Sequence, residues 1–530
     1  MFTPRREFLK QISLTTAGIG LIPIIPGTLL AEIKKAKGLP RSIAELEGVS
    51  SENIMTFIES VEKKQLGLHS LMIVRHGKII AEGWWDPFNP ELKHMLYSLS
   101  KSFTSTAIGL AVTEGRLTVE DKVISFFPEY IPQTISPNLA AMRVKDLLTM
   151  NTGHSKDTMG LMRASKQSWI KKFLSLPVEH TPGSYFFYNS GATYMLAAIL
   201  QKLTGKTLLD YLTPGILNPL DIEGADWEIS PEGIHTAAYG LRVTTEDIAK
   251  FGQLYLQKGV WNGKRLLPEK WVEEATSFQV SNAALSGKDE NSDWQQGYGY
   301  QFWRCRHNFY RADGAVGQFC IVMPAHDAVI AITSETTNMQ GIMNEIWNLI
   351  LPGMNAGVLP QNQQAQSALK KKLSSLSLLP SSTVTSSSKQ ATISGKKFIL
   401  EKNGMHAKEI ILLFNTKSCM FTLKDNKGDH TILCGLDHWI KSETVMPGDP
   451  PNLVNGHNKI TTKAKVAAAG VWKDENTFEM TWLFFETPHG DTVTCHFENN
   501  SLRLEFKNSL IGKMGSFTES RPVLKGTLIT

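Results

Sequence analysis

Five cysteines in 530 residues, with no Cys-x-x-Cys pair and no Cys/His spacing suited to zinc, exclude a disulfide scaffold and a zinc module. An odd number leaves at least one thiol unpaired within a monomer. Charge of one sign is also scarce: 55 Lys and Arg stand against 50 Asp and Glu, a net charge of +5, with no basic arm, which excludes nucleic acid as an expected partner. Beyond residue 30 no run reaches about 18 apolar residues, so the mature chain is expected to hold no stable membrane span. No segment repeats at a fixed period. With 41 Gly, 24 Pro, 42% hydrophobic and 20% charged residues, the composition is that of a soluble globular protein and excludes collagen-like, disordered and coiled-coil classes. Cys419 and Cys434 flank the turn-like Asp425-Asn426-Lys427-Gly428 almost symmetrically. They either face each other across a hairpin or serve as small buried hydrophobes.

The N-terminus carries an address. Residues 4–10 read Pro-Arg-Arg-Glu-Phe-Leu-Lys, followed by a mildly apolar stretch over 11–30 that contains Pro23 and Pro26 and ends near Ala31. This resembles a twin-arginine export signal, so residues 1–31 are expected to be a cleaved leader and the protein periplasmic or secreted. From about 40 to 355 strand and helix signals alternate. Residues 68–85 predict two strands around His76-Gly77-Lys78, and 98–113 change to helical spacing with Gly115 as a stop. Further helices are expected at 144–150, 192–203, 245–257 and 268–275, and strands at 319–324 and 329–333. Residues 356–391 turn rich in Gln, Ser and Lys and read as a linker with one short helix near 368–376. Short β-branched and aromatic runs over 392–530, broken by Gly-containing turns, predict an all-β domain, a barrel or a sandwich.

The chemistry gathers at Tyr97-Ser98-Leu99-Ser100-Lys101, a Ser-x-x-Lys at the start of a predicted helix. Three residues along a helix place both side chains on one face, so the amine can reach the hydroxyl and help remove its proton. The spacing alone is common; it also begins at Ser60, Ser367, Ser386 and Ser394, where a solvated pair is the plain reading.

What distinguishes Ser98 is an ordered series of words: MLYSLSKSFTSTAIGLAVTEGRLTVEDKV, VKDLLTMNTGH, HTPGSYFFYNSGATYMLAAIL, AAYGLRVTTEDIAKFGQLYLQKGVWNGKRLLPEKWV, YGYQFW and GAVGQFCIVMP. Over residues 45–350 this string resembles the class C β-lactamase-related serine hydrolases, which include β-lactamases, penicillin-binding-protein relatives, D-aminopeptidases, esterases and amidases. The resemblance implies an α/β (α+β) sandwich: an antiparallel sheet flanked by helices, with an all-helical subdomain and the cleft between them. It implies Ser98 as nucleophile, Lys101 as the lysine that helps deprotonate it, and Tyr188 as the tyrosine of the Tyr-x-Asn motif, a phenol of lowered pKa acting as general base. Two departures stand out. Ser190 replaces the Asn of that motif, so its bond to substrate or to Lys101 comes from a hydroxyl. The Lys-Thr-Gly or His-x-Gly motif aligns with Ala312-Asp313-Gly314, so its cation is missing, with Arg304, Arg306 or Arg311 as candidate replacements. By the same alignment the N–H groups of Ser98 and Ala315 form the oxyanion hole, Gly314 permits close backbone approach, and Asp313, if it faces the cleft, favours a substrate carrying an amine.

The first functional expectation is therefore a hydrolase that forms an acyl-enzyme on Ser98 from a small-molecule or short-peptide ester or amide, with no metal or organic cofactor. A non-catalytic penicillin-binding-like sensor and a genuine β-lactamase are the alternatives. A third reading puts a glycan- or peptide-binding surface on the β domain, with Trp439, Trp472 and Trp482 either exposed for it or simply core. The cleft walls are expected to include the loop 279–294. Oligomeric state is not encoded in any feature of the sequence.

Overall fold

Strand Leu68–Arg75 (β1) and strand Lys78–Trp84 (β2) form a hairpin whose two-residue turn holds His76 at φ 50° and Gly77 at φ 71°. Two successive left-handed residues match the twist of paired strands, and this explains the turn read from the sequence. With Trp303–Arg304 (β3), Tyr310–Gly314 (β4), Gln318–Met323 (β5) and Ala328–Ser334 (β6), they build an antiparallel sheet in the order β2-β1-β6-β5-β4-β3. The computed structural model describes residues 38–283, 287–379, 386–446, 463–512 and 518–529. Leu39–Thr530 forms one unit by its internal contacts. The proposed leader, 1–31, lies outside the described residues.

All eight residues of β1 are buried, because the sheet is covered on both faces. Alternation along the strand assigns each side chain to a layer. Leu71 and Ile73 join Ile321, Ile330 and Ile332 under the helix Ser51–Lys63 (α1) and the helix Met339–Glu345 with its continuation to Ile350. Met72 and Val74 join Val322 and Val329 against the helix Ser100–Thr113 (α2) and the helix Thr245–Leu256 (α4), where Phe103 stacks on Phe251. The helical subdomain centres on the helix Ser190–Thr204 (α3), ringed by Val144–Leu148, Met159–Arg163, Trp169–Ser175 and Leu208–Leu212. Helix α2 is buried almost all round, so its hydroxyls must find partners inside. Ser102 Oγ donates to Gln301 O at 2.7 Å, Thr104 Oγ1 to Ala237 O at 3.0 Å, and Thr106 Oγ1 meets Tyr255 OH at 2.7 Å.

The segment read as a linker is in part a packed helix. Asn362 Oδ1 accepts from Ala365 N at 3.0 Å and starts a helix at Gln363–Leu373, earlier than the expected 368–376, which presses Leu369 into the core beneath α1. Beyond it, ten strands from Lys397–Leu400 to Leu524–Ile529 form one sheet that closes on itself where Gly435 pairs with Ala469. This is the barrel alternative of the two β architectures expected. Trp472 and Trp482 fill its interior with Phe421, Phe478 and Met480. Trp439 instead packs with Phe88 and Phe485, where the barrel meets the segment after β2, so all three tryptophans are core. Cys419 and Cys434 do sit opposite each other across a hairpin, as buried free thiols. Among the described residues no helix is long and apolar enough to cross a membrane.

Candidate active site

Ser98 lies in a single 3-10 turn, Tyr97–Leu99, that leads into α2, which puts Lys101 in the first turn of the helix. Lys101 Nζ is 3.0 Å from Ser98 Oγ, 3.4 Å from Ser190 Oγ and 3.0 Å from Ala238 O, and it stands 4.7 Å from the centre of the Tyr188 ring. Tyr188 precedes α3, whose N-cap is Asn189, and Ser98 is among the neighbours that act on its phenol. Two helix starts, of α2 and of α3 in the helical subdomain, thus bring together Ser98, Lys101, Tyr188 and Ser190, four residues singled out from the sequence. Ser190 turns its hydroxyl to Lys101, the second of the two roles open to it.

The two proton-carrying groups shift in opposite directions. Lys101 is 1% exposed, and among the described residues no carboxylate lies in hydrogen-bonding contact with it; burial lowers its pKa from 10.5 to about 7, against upward pulls from Asp157 and Asp313. Tyr188 keeps a partly exposed ring edge, but its hydroxyl end is enclosed. Burial pushes the phenol upward and Asp313 adds to the push, outweighing the downward pull of Ser98 and of the nearby Arg311. The lowered phenol pKa expected from the sequence is therefore overturned: desolvation disfavours phenolate more than a neighbouring amine that is itself losing its charge can favour it.

Asp313 also departs from expectation. It is 6% exposed, with Arg311 Nε donating to it at 2.8 Å. It is engaged from within and does not offer a free carboxylate to an amine in the cleft. Arg311 is fully buried, donating also to Asp293 O at 2.7 Å and lying 4.3 Å over the Trp294 ring. Arg304 donates to Thr276 O and to Asn308, and Arg306 to Asp293 and Asn344, so neither is aimed at Ser98. The close approach expected at Gly314 is present: a Cβ there would lie 2.0 Å from Leu96 O and 3.0 Å from Tyr97 Cβ. Ala315 opens the β4–β5 turn and packs with Met95, Tyr97 and Val316, which sets the 314–315 backbone against the segment that carries Ser98.

Three features were not found from the sequence. Asp157 is an exposed carboxylate whose Oδ1 accepts from Ser190 N at 2.9 Å and Met159 N at 3.0 Å, and its charge acts on Lys101 and Tyr188. Trp303 stacks on Tyr188 at 5.2 Å and Tyr298 meets it edge-on at 6.2 Å; both stand in the word YGYQFW, and an aromatic cluster was its available signal. The third is Tyr97 itself, whose hydroxyl bonds His489 of the barrel. Among the described residues no group of three or more His, Cys, Asp or Glu is placed to hold a metal ion.

A sheet with helices on both faces, a helical subdomain and a Ser-x-x-Lys at the helix start define the serine β-lactamase-related class. The Beta-lactamase family model matches residues 56–351, and the chain belongs to that family. Its 301-residue match to a 6-aminohexanoate-dimer hydrolase of Paenarthrobacter ureafaciens is 24% identical and covers 52% of this chain and 76% of the relative. Protein flp of Staphylococcus aureus (strain COL) is 26% identical over 185 residues, 32% of this chain and 37% of that protein. A solved Bacillus anthracis structure, provisionally assigned as a 6-aminohexanoate-dimer hydrolase, has a TM-score of 0.50 at 22% identity, covering 61% of this chain and 89% of its own, and shares the fold. Family and relatives together support a serine hydrolase acting on amide or ester bonds.

Proposed function

We propose that the protein hydrolyses short esters or amides through an acyl-enzyme on Ser98, with Lys101 as the base and Tyr188 as the proton carrier to the leaving group. The observation that carries this is an amine with its pKa brought down to about 7, held 3.0 Å from the Ser98 hydroxyl. A neutral Lys101 takes the Ser98 proton as Oγ attacks the carbonyl carbon. The developing oxyanion is received by the N–H groups of Ser98 and Ala315. The proton then passes through the Tyr188 hydroxyl, which stays protonated at rest, to the departing alcohol or amine as the C–O or C–N bond breaks. Water repeats the sequence on the Ser98 ester, giving the acid and the free serine. Arg311 is committed to Asp313, which leaves no free cation at the third-motif position to hold a β-lactam carboxylate, and this favours esters and amides over β-lactams.

The exposed Asp157 suits a substrate with a cationic end, in keeping with a relative named for the 6-aminohexanoate dimer. The leader-like residues 1–31 favour export, and residues 40–355 and 392–530 are taken as the hydrolase and accessory domains. Ser98→Ala is expected to abolish both p-nitrophenyl ester turnover and fluorophosphonate labelling, read by intact mass. A persisting adduct would move the nucleophile to another residue.

A further inference from the structure

The residue before Ser98 is held in an uncommon conformation by the barrel. Tyr97 has φ 48°, in the left-handed region that a bulky side chain enters only when its surroundings over-determine it. Gly314 presses on it from one side. From the other, Tyr97 OH bonds His489 Nε2, and His489, 2% exposed, has Nδ1 2.8 Å from Glu335 Oε1. Glu335 Oε1 also accepts from Ser509 Oγ at 2.6 Å, and Glu335 N donates to Gly67 O at 2.8 Å, so the chain runs from the hydrolase segment into the barrel and back to the hydrolase sheet.

The turn that carries His489 is itself fixed. Phe484 N donates to His489 O at 3.0 Å, Thr487 Oγ1 to Phe484 O at 2.9 Å, and His489 N to Thr487 Oγ1 at 3.1 Å. A second clamp lies two residues before Tyr97, where Met95 N donates to Glu486 O at 3.1 Å. With the Glu335 carboxylate accepting from Nδ1–H, Nε2 is the acceptor for the phenol, so each ring nitrogen of His489 has one task. Tyr97 φ and ψ set the direction of the Ser98 N–H, and the Tyr97 backbone is what this chain pins.

We propose that Tyr97, His489 and Glu335 form a positioning device through which the barrel orients the Ser98 backbone N–H and Oγ in the cleft. None of the three touches substrate. The inference rests on the reading of Ser98 as nucleophile, and the barrel is thereby part of the catalytic unit and not an independent accessory.

The test compares Ser98→Ala, Tyr97→Phe, His489→Ala, His489→Gln and the Tyr97→Phe/His489→Ala double variant in the full chain, by steady-state ester hydrolysis, fluorophosphonate labelling rate and unfolding midpoint. Tyr97→Phe removes one oxygen and nothing else. Misplacement of reacting groups by a fraction of an ångström costs about tenfold or more in rate, so Tyr97→Phe and His489→Ala are each expected to lower kcat and the labelling rate by about that factor with KM nearly unchanged. The double variant should fall no further than the worse single one, and His489→Gln, whose amide can accept from the phenol, should recover much of the loss. Lys465→Ala, which breaks the Lys465–Glu486 pair on the same turn, should leave kcat alone. Wild-type kcat in Tyr97→Phe and His489→Ala, or losses that multiply in the double variant, overturns the positioning role while an inactive Ser98→Ala keeps the nucleophile. An active Ser98→Ala instead overturns the nucleophile assignment.

Discussion

Two buried cations act on Tyr188 from different parts of the fold, and they are treated in opposite ways. Lys101, on α2, is surrounded by two hydroxyls and a carbonyl, and burial brings its pKa down to about 7. Arg311, on β4, is as fully enclosed, but a carboxylate lies 2.8 Å from its Nε, and that neighbour holds its pKa upward in spite of burial. Enclosure alone therefore does not decide a charge state; the partner inside the enclosure does. The unpaired position yields an amine able to accept a proton near neutral pH, and the paired one yields a permanent ion that braces the cleft.

The largest effect should come from removing the titrating member. Lys101→Met is expected to lower kcat for an activated ester by about 10³-fold, within the range general-base catalysis supplies. Lys101→Arg should be nearly as damaging, because a guanidinium stays protonated. In the native enzyme the base must be neutral, so kcat/KM should rise with pH through about 7, roughly tenfold per pH unit below it, and level off above. The stability sign runs with it: a lysine whose folded pKa lies below 10.5 binds less proton folded than unfolded between about 7 and 10.5, so its contribution to stability rises with pH across that window. Lys101→Met should flatten that slope in pH-dependent denaturation. A pH-independent rate between 6 and 8 would remove the contrast with Arg311.

Breaking the paired member should cost stability more than chemistry. Arg311→Met leaves the Asp313 carboxylate buried without its cation, which is worth about 3–5 kcal/mol by analogy with other buried pairs, read by urea denaturation. Arg311→Met/Asp313→Leu, which removes both charges, should recover most of that loss. Equal losses in the single and double variants would mean that packing on Trp294 and Trp303, and not charge pairing, is what Arg311 supplies.

Much of this pair was legible in the sequence and was not read. Residues two apart on a strand share a face, so once Tyr310–Gly314 is a strand, Arg311 and Asp313 are neighbours by period alone. The same periodicity did place Leu71 and Ile73 in one layer of the sheet and Met72 and Val74 in the other. Ser98 and Lys101 were legible because three residues on a helix fix their meeting locally. The acidity of Tyr188 was not, since it depends on how completely distant segments enclose the hydroxyl. His489 was out of reach altogether: 392 positions separate it from Tyr97, and no local pattern encodes that contact. Element ends moved where a cap decided them, as Asn362 did for the helix Gln363–Leu373.

The smallest effect separates the two acidic residues of the cleft. Asp313 spends its charge on Arg311, whereas Asp157 is exposed with one oxygen bound to two backbone N–H groups, Ser190 and Met159. An exposed carboxylate facing a substrate ammonium contributes up to about 1 kcal/mol, so Asp157→Asn, which keeps an oxygen for those N–H groups, should reduce kcat/KM for an amine-bearing ester about fivefold relative to its neutral analogue. Asp313→Asn should leave that ratio where it was, even if it lowers both rates. The ratio, and not either rate, is the decisive measurement, because loss of the Arg311 partner disturbs the site as a whole. A ratio that follows Asp313 and ignores Asp157 would return the recognition of the amine to the strand and show that the Arg311 pair opens when substrate enters.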